Sequence, residues 1–191
     1  MPVRKWTPFF YVSVGILSIS LVSAQNAQPR RTPDVVYLPT TDVAVDGMLK
    51  LADVKKTDVV YDLGCGDGRI IIAAARTYGA RGVGIDIDPV RIKEARENAK
   101  KAGVENLVRI EENDLFEADI HEASVVTLFL LPSLNEKLKP KLLRDLKAGT
   151  RIVSNTFNMG DWKPYKTATI EGTSDGYFSR MLLLWIVPER K

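Results

Sequence analysis

The sequence has one cysteine and one histidine, and this scarcity removes several kinds of chemistry. A lone cysteine cannot form a disulfide within the chain. Zinc sites and Cys-His catalysis each need several such side chains close together. We therefore predict no metal site and a surface position for His121. Cys65 is expected to fill a tight loop as a small residue.

An excess of charge of one sign is also lacking. Lysine and arginine number 27 and aspartate and glutamate 24, so the net charge is +3. Proteins that bind nucleic acid usually carry a larger basic excess that is clustered on one face. The charge balance therefore predicts no nucleic-acid partner.

Only one apolar run approaches the length of a membrane span, and it lies at the N-terminus. Residues 8–22 read "PFFYVSVGILSISLV". Arg4 and Lys5 precede this run, and the tripeptide "VSA" at residues 22–24 ends it. A basic start, an apolar centre and a small-residue cleavage site are typical of a secretory signal peptide. The alternative is an uncleaved membrane anchor. Either one predicts an exported, periplasmic or membrane-anchored protein, with possible membrane association through residues 8–22.

The rest of the chain divides into a short linker and one domain. Residues 25–34 are polar and contain prolines, as linkers do, and residues 35–191 alternate strand-like with helix-like patterns. This alternation predicts an α/β fold with a doubly wound, mostly parallel seven-stranded sheet. The last two strand patterns, "KTATIEG" and "YFSRMLLLWIVP", leave no room for a helix between them, which predicts an antiparallel C-terminal hairpin.

Helix boundaries follow from capping residues. Thr41 or Asp42 is expected to cap the first helix, and Asp88 the third, where Pro89 takes the first helical position. The helix that begins near residue 132 contains Pro140, so we expect it to be interrupted or bent there.

The stretch "VVYDLGCGDGRI" places an acid and three glycines directly after a buried strand. In a doubly wound sheet the ligand lies at the carboxyl ends of the strands, so this turn is the expected site. Gly64, Gly66 and Gly68 allow a sharp turn and close approach of the backbone to a ligand. Asp86 ends the next strand about 20 residues later, where a carboxylate can bind both hydroxyls of a ribose. The pattern predicts a nucleoside cofactor.

The charges in this loop favour one nucleoside over another. A dinucleotide fingerprint has its third glycine one position later, and Asp62 and Asp67 would repel a pyrophosphate. The same carboxylates would attract a cation. S-adenosyl-L-methionine carries an ammonium group and a sulfonium, so it is the expected cofactor and NAD is disfavoured.

At this point the chain resembles the class I S-adenosylmethionine-dependent methyltransferases, over roughly Tyr37 to Phe157. Three segments carry the resemblance: the glycine loop, "GVGIDID" and "EENDLFE". In such a methyltransferase Asp114 would meet the adenine amino group and Leu115 would line the adenine ring. The cofactor-binding residues that the resemblance implies are Asp62, Gly64, Cys65, Gly66, Asp67, Gly68, Asp86, Ile87, Asp114 and Leu115.

The flanking segments resemble a narrower group, the small protein-lysine methyltransferases related to the ATP synthase c-subunit lysine methyltransferase. They read "VVYLPTTDVAVDGMLKLADV", "VVTLFLLPSLNEKLKPKLLRDLKAGTRIVS" and "FNMGDWKP". The resemblance implies that Tyr37, Pro39 and Thr40 fold over the cofactor. It also implies that Tyr37, Pro132 and Asn135 line the methyl-transfer site, and that the partner is a protein with an acceptor lysine.

Other acceptors remain open from the residues alone. Methyltransferases acting on amino groups of bases carry an Asn/Asp-Pro-Pro-aromatic motif, whereas the corresponding stretch here reads "LFLLPSLN". A small-molecule methyltransferase and a non-catalytic exported nucleoside-binding module are the two alternatives. The predicted export conflicts with a cytosolic cofactor, because a secreted enzyme would be separated from it.

Four aromatic residues and one acid are candidates for a lysine channel. A channel lined by aromatic rings would favour a neutral amine and hold a methylated one. Tyr37, Phe129, Phe157 and Trp162 are the candidates for such a channel, and ordinary core packing is the favoured alternative for each. Asp161 could orient the amine or could be an exposed loop acid.

Overall fold

The computed structural model describes residues 37–171 and 180–190, together with the single residues 1 and 32. The predicted signal peptide or anchor, and the linker, otherwise lie outside the described residues. Within the described ranges, no helix has the length and apolar character needed to cross a membrane. The helices are α1 (Asp42–Leu51), α2 (Arg69–Tyr78), α3 (Pro89–Lys101) and α4 (Pro132–Asp145). The strands are β1 (Val59–Leu63), β2 (Arg81–Asp86), β3 (Val108–Glu112), β4 (Val125–Leu128), β5 (Arg151–Asn155), β6 (Lys166–Ile170) and β7 (Arg180–Ile186).

These strands form one sheet in the order β3-β2-β1-β4-β5-β7-β6. Strands β1 to β5 are mutually parallel, and β7 pairs antiparallel with both β5 and β6. The predicted seven-stranded, mostly parallel sheet with an antiparallel C-terminal hairpin is confirmed. The strand order reverses between β1 and β4, so the crevice for a ligand opens at the carboxyl ends of these two strands.

Strand β1 is buried along its whole length, because helices cover both faces of the sheet. Successive side chains of a strand face opposite sides. Val60 belongs to the same buried cluster as Met48 of α1 and Ala74 of α2 on one face, and Tyr61 belongs to the cluster of Leu138 of α4 on the other. The apolar packing on both faces holds the carboxyl end of β1 in place between its neighbours.

Capping residues mark the helix ends as predicted. Thr41 Oγ1 accepts a hydrogen bond from the Ala44 backbone N–H at 3.4 Å. Asp88 Oδ1 accepts from the Val90 N–H at 2.8 Å, and Pro89 takes the first helical position of α3. Strand β4 is shorter than its apolar pattern suggested: it ends at Leu128, and Phe129 and Leu130 beyond it line the site.

Of the two outcomes predicted at Pro140, an interruption or a bend of the helix, the interruption is wrong. Helix α4 runs from Pro132 through Pro140 to Asp145 as one element. Proline removes the hydrogen bond to the carbonyl four residues earlier, which belongs here to Glu136. Both Glu136 and Pro140 are exposed, so water can solvate that carbonyl. Leu138 and Leu142 on the opposite side are fully buried, and their packing stabilises the helix on either side of the proline.

Candidate active site

A cavity of about 340 Å³ opens at the carboxyl ends of the central strands. This volume lies at the lower end of the range for small-molecule sites. Residues from four strand ends and from the segment before α1 meet in its wall. The predicted cofactor and methyl-transfer residues that line it are Tyr37, Asp62, Gly64, Cys65, Asp67, Asp86, Ile87, Asp114 and Leu115. Gly66, Gly68, Pro132 and Asn135 are not part of the wall.

The glycine loop bends back onto β2 by backbone hydrogen bonds. The N–H groups of Gly64 and Cys65 both donate to the Ile85 carbonyl, at 2.8 and 3.0 Å. Gly66 has φ +52° and lies under the ring of Tyr37, where a Cβ would stand 2.3 Å from Tyr37 Cε2. Gly66 thus makes room for the Tyr37 ring, and Gly68 lies against Ala95 of α3, where a Cβ would stand 3.0 Å from Ala95 Cβ.

Cys65 packs inside this loop, as its small size predicted. Its Sγ would stand 2.8 Å from a Cβ placed on Gly84 of β2, so a glycine in that strand makes room for the thiol. Burial raises the pKa of the Cys65 thiol, and the negative charges of Asp62 and Asp86 raise it further. The thiol therefore stays protonated at neutral pH and does not act as a nucleophile.

Asp86 ends β2 with both carboxylate oxygens already oriented. Its Oδ2 accepts from the Gly66 N–H at 2.8 Å, and its Oδ1 accepts from the Asp88 N–H at 3.0 Å. Each oxygen keeps a further acceptor position, and the residue lines the cavity. This arrangement presents a rigid pair of acceptors, which suits two neighbouring hydroxyl donors of a ribose.

Asp62 is a buried carboxyl group in the wall of the cavity. Thr127 Oγ1 on β4 donates a hydrogen bond to its Oδ1 at 2.8 Å. Burial, together with the negative charges of Asp86 and Asp67, raises the pKa of Asp62 to about 7, although the Thr127 hydrogen bond acts to lower it. Among the described residues, no lysine or arginine forms an ion pair with Asp62. A ligand ammonium group would compensate this carboxylate and favour its charged form.

Asp67 differs from Asp62, because Arg69 neutralises it. Arg69 Nε donates to Asp67 Oδ1 at 2.9 Å and its Nη2 donates to Oδ2 at 2.6 Å. Although burial acts to raise the pKa of Asp67, its bonds with Arg69 leave that pKa lowered overall. Asp67 therefore repels a pyrophosphate less than the sequence predicted, because the Arg69 guanidinium compensates its charge.

The segment before α1 lies against the glycine loop. Arg69 Nη1 donates to the Thr40 carbonyl at 2.7 Å. The guanidinium of Arg91 lies 4.7 Å from the centroid of the Tyr37 ring. Burial and the neighbouring Asp67 raise the pKa of the Tyr37 hydroxyl, so it remains protonated at neutral pH. Residues 37–40 all line the cavity, which places this segment at the site, as the family resemblance implied.

Asp114 and Leu115 lie in the wall beyond β3. Asp114 Oδ1 accepts from the Phe116 N–H at 2.9 Å, and its carbonyl accepts from the N–H groups of Glu117 and Ala118 at 2.9 Å. This turn holds Leu115 against both the cavity and the core. A planar apolar group can therefore rest on Leu115, with Asp114 at its edge.

The aromatic candidates separate into two groups. Phe129 lines the cavity, and Phe157 stacks on it with centroids 6.1 Å apart and an interplanar angle of 17°. Trp162 packs against Trp185 instead, at 6.2 Å, and its carbonyl accepts from Trp185 Nε1 at 2.7 Å. Trp162 is thus a packing residue. Asp161 is exposed and forms an ion pair with Lys139, as expected for a loop acid.

Three residues that shape the site were not predicted. Arg69, Arg91 and Thr127 act respectively on Asp67, Tyr37 and Asp62. Thr127 had a detectable signal, since it is the only polar residue in the apolar run "VVTLFLL". The roles of the two arginines depend on contacts between segments and could not be inferred from spacing.

Comparison with known proteins decides the family. The model of the ANTKMT methyltransferase domain matches residues 62–166, which is more than half of the chain. The chain belongs to this methyltransferase family. It therefore carries a methyltransferase domain, and residues 62–166, which the domain model matches, include the glycine loop that lines the cavity.

Individual relatives extend this match beyond the domain model. The chain is 46% identical to the protein-lysine N-methyltransferase of Saccharolobus islandicus (strain REY15A), over 83% of this chain and 98% of that protein. It is 32% identical to the ATP synthase c-subunit lysine N-methyltransferase of Xenopus laevis, over 84% and 72% respectively.

A solved structure agrees with the same fold. The crystal structure of an RNA methyltransferase from Salinibacter ruber, in complex with S-adenosyl-L-homocysteine, superposes with a TM-score of 0.75. It is 55% identical and covers 81% of this chain and 96% of that one. The methyltransferase fold is thus shared by relatives whose described acceptors differ.

Proposed function

We propose that this methyltransferase transfers a methyl group from S-adenosyl-L-methionine to a lysine side chain of a protein. The observation that supports lysine as the methyl acceptor is the 46% identity to a protein-lysine N-methyltransferase along 98% of that protein. The match to an ATP synthase c-subunit lysine N-methyltransferase supports the same class of acceptor.

The cofactor is S-adenosyl-L-methionine, which supplies a methyl group made electrophilic by its sulfonium. The cavity fits it in two respects. Asp86 presents two oriented oxygens for ribose hydroxyls, and Asp62 presents a buried carboxyl that pairs with no lysine or arginine of the described ranges and can take the ammonium group. Leu115 and Asp114 would hold the adenine ring and its amino group. Strand β3 lies beside β2, so these groups follow one another along the sheet.

Positioning and exclusion of water are the main contributions that this chain can make to catalysis. A methyl group already activated by a sulfonium needs a nucleophile aligned with the breaking bond, and alignment alone can lower the barrier greatly. A lysine amine must first lose its proton, which desolvation beside apolar rings favours. Phe129, Leu130 and Leu134 supply apolar wall at the β4 end of the cavity.

RNA is the second candidate acceptor, because the Salinibacter ruber relative is described as an RNA methyltransferase at 55% identity. Two observations on this chain favour lysine. The net charge of +3 is small for an RNA-binding surface, and the segment after β4 lacks the polar Pro-Pro-aromatic motif of enzymes that methylate amino groups of bases. A single experiment can distinguish a lysine acceptor from an RNA acceptor.

That experiment incubates the full chain and tritiated S-adenosylmethionine with a host-cell extract. Half of each reaction is treated with ribonuclease and half with proteinase, and the labelled protein is hydrolysed for amino-acid analysis. We expect label that survives ribonuclease and elutes as methylated lysine. The control is Asp86→Ala, which should abolish labelling of either kind. Label that survives proteinase and is lost with ribonuclease would establish RNA as the acceptor instead.

The N-terminal segment is part of the same proposal. A signal peptide or anchor at residues 1–24 would place the enzyme outside the cytosol or at a membrane, and residues 8–22 would provide the membrane contact. N-terminal sequencing of the protein from its host decides between them. A mature start at Gln25 shows cleavage, whereas an intact N-terminus in the membrane fraction shows an anchor.

A further inference from the structure

Asn135 joins α4 to the segment that follows β5. Its side chain is fully buried. The Nδ2 group donates to the Asn158 carbonyl at 3.1 Å and to the Phe157 carbonyl at 3.4 Å, and lies 3.5 Å from Ser154 Oγ. One amide group therefore binds the backbone of a loop at the carboxyl end of the sheet, close to the cavity but outside its wall.

The loop that Asn135 binds contains a strained residue. Thr156 has φ +72°, and the Phe157 N–H donates to the Asn155 carbonyl at 2.9 Å. This combination is the γ-turn with positive φ, which is rare and strained for a residue with a side chain. Such a turn persists only when its surroundings hold it. The Thr156 N–H donates to the Met181 carbonyl at 2.7 Å on one side, and Asn135 holds the other side.

The turn determines where the Phe157 ring lies. Phe157 stacks on Phe129, and Phe129 lines the cavity beyond β4. In the strand order β3-β2-β1-β4, Phe129 lies on the opposite side of β1 from Asp86 and Asp114. If these acids hold ribose and adenine, the Phe129 end of the cavity is where the methyl group and its acceptor meet.

We propose that Asn135 is a positioning residue for the acceptor side chain, acting through Phe157. Its hydrogen bonds hold the strained turn, the turn holds Phe157, and Phe157 supports Phe129 as a wall of the acceptor site. This inference rests on the proposed lysine methylation. The resemblance to lysine methyltransferases implied that Asn135 borders the acceptor directly, whereas the structure gives it an indirect route through two aromatic rings.

The test compares Asn135→Ala, Phe157→Leu and the double variant with the wild-type full chain. Calorimetry with S-adenosylmethionine measures cofactor affinity, and label transfer to host-cell protein extract measures the acceptor step. We expect cofactor affinity within about twofold of wild type in all variants, and transfer about tenfold slower in each single variant, because small misplacements at a reacting centre cost this much or more. The double variant should be no slower than the slower single variant, since both changes interrupt one route.

Thr150→Val provides the matched control for stability. Thr150 is buried, and its hydroxyl donates to the Ala123 carbonyl at 3.3 Å at the opposite, amino end of β5. The Thr150→Val substitution removes a buried hydrogen bond, as Asn135→Ala does, but at a distance from the acceptor end of the cavity. If Asn135 were only structural, both variants would slow transfer in proportion to their loss of stability. We expect Thr150→Val to lower the melting temperature and to leave the transfer rate unchanged.

Hydrogen exchange provides a measurement that does not depend on the acceptor. In the complex with S-adenosyl-L-homocysteine, Asn135→Ala should speed exchange of the backbone amides at residues 156–159 and leave those of β1 unchanged. Unchanged exchange in this loop, or additive effects of Asn135→Ala and Phe157→Leu on transfer, would overturn the inference. Absence of any transfer by the wild-type enzyme would overturn the proposed function alone, and hydrogen exchange would then decide the inference.

Discussion

The Tyr37 ring lies so close to the Gly66 backbone that a Cβ on Gly66 would stand 2.3 Å from Tyr37 Cε2. Real Cβ atoms do not approach carbon that closely, so the ring and an alanine cannot both occupy these positions. Gly66 also has φ +52°, which disfavours other residues. The glycine loop is thus adapted to the segment before α1 as well as to a ligand.

Gly66→Ala is expected to displace Tyr37 and to weaken binding of S-adenosylmethionine by about tenfold or more, equivalent to at least ~1.4 kcal/mol. The cause is loss of one wall of the cavity together with strain in the loop. Calorimetric titration measures the affinity. Tyr37→Ala is the partner variant, because it removes the clash but also the ring. If affinity in Gly66→Ala equals that of wild type, the Tyr37 segment does not contribute to cofactor binding.

Asp62→Asn is expected to remove a pH dependence from the stability of the unliganded protein. The pKa of Asp62 is raised from 3.8 to about 7 in the folded state, so the folded protein binds the extra proton between these values. Its contribution to stability is therefore full below about pH 4 and is lost as the pH rises toward 7. Denaturant unfolding at pH 5 and pH 8 should show a smaller fall in stability in the variant than in wild type. An identical fall in both proteins would rule out this role for Asp62.

The same carboxyl group should couple cofactor binding to pH in the opposite direction. An ammonium group binds the ionised form of Asp62, so affinity for S-adenosylmethionine should rise with pH from 6 to 8 and a proton should be released at the lower pH. Calorimetry in two buffers of different ionisation enthalpy measures that proton. Asp62→Asn should show weak affinity with a smaller pH dependence. Proton release that persists in the variant would assign it to another group.

Arg69→Lys is expected to weaken cofactor binding about five- to tenfold while keeping the charge. Lysine cannot reproduce the paired bonds to Asp67 and the bond to the Thr40 carbonyl at the same time, because it lacks the planar fork of arginine. A hydrogen bond to a charged group contributes about 1.5–3 kcal/mol, and the partial exposure of the Arg69 side chain to solvent reduces this contribution. Titration with S-adenosylmethionine measures the effect. Arg76→Lys is the matched control, since Arg76 lies in the last turn of the same helix.

Ser124→Ala should lower stability and leave cofactor affinity unchanged. Ser124 lies at the amino edge of the sheet, where its hydroxyl donates to Asp58 Oδ1 at 2.6 Å and accepts from the Val59 N–H at 3.0 Å. Arg151 also binds Asp58, so the network joins three strands. Loss of the hydroxyl removes the partner of the Val59 N–H, at a cost of about 1–3 kcal/mol, whereas Asp58 keeps its bonds with Arg151 and the Lys55 N–H. A change in cofactor affinity as large as the change in stability would show that the two edges are coupled.

Much of the fold was predictable because local sequence and tertiary contacts agree. Buried strands, helix caps at Thr41 and Asp88, and the missing crossover before β7 are all local signals, and each predicted the observed element. The predicted interruption at Pro140 does not occur, because a rule based on local sequence takes no account of burial. The apolar side of α4 packs against the sheet strongly enough to keep the helix continuous across the proline.

The sequence by itself determined the order of strands and helices, the position of the glycine loop and the acids at three strand ends. These features are encoded within a few residues of one another. Only the tertiary structure decided which of the two acids is neutralised by an arginine. Arg69 forms an ion pair with Asp67, whereas Asp62 accepts a hydrogen bond from Thr127. The tertiary structure also decided that Asn135 contacts a strained turn and that Trp162 packs against Trp185. Such contacts join segments distant in sequence, and spacing along one chain does not encode the distance between them.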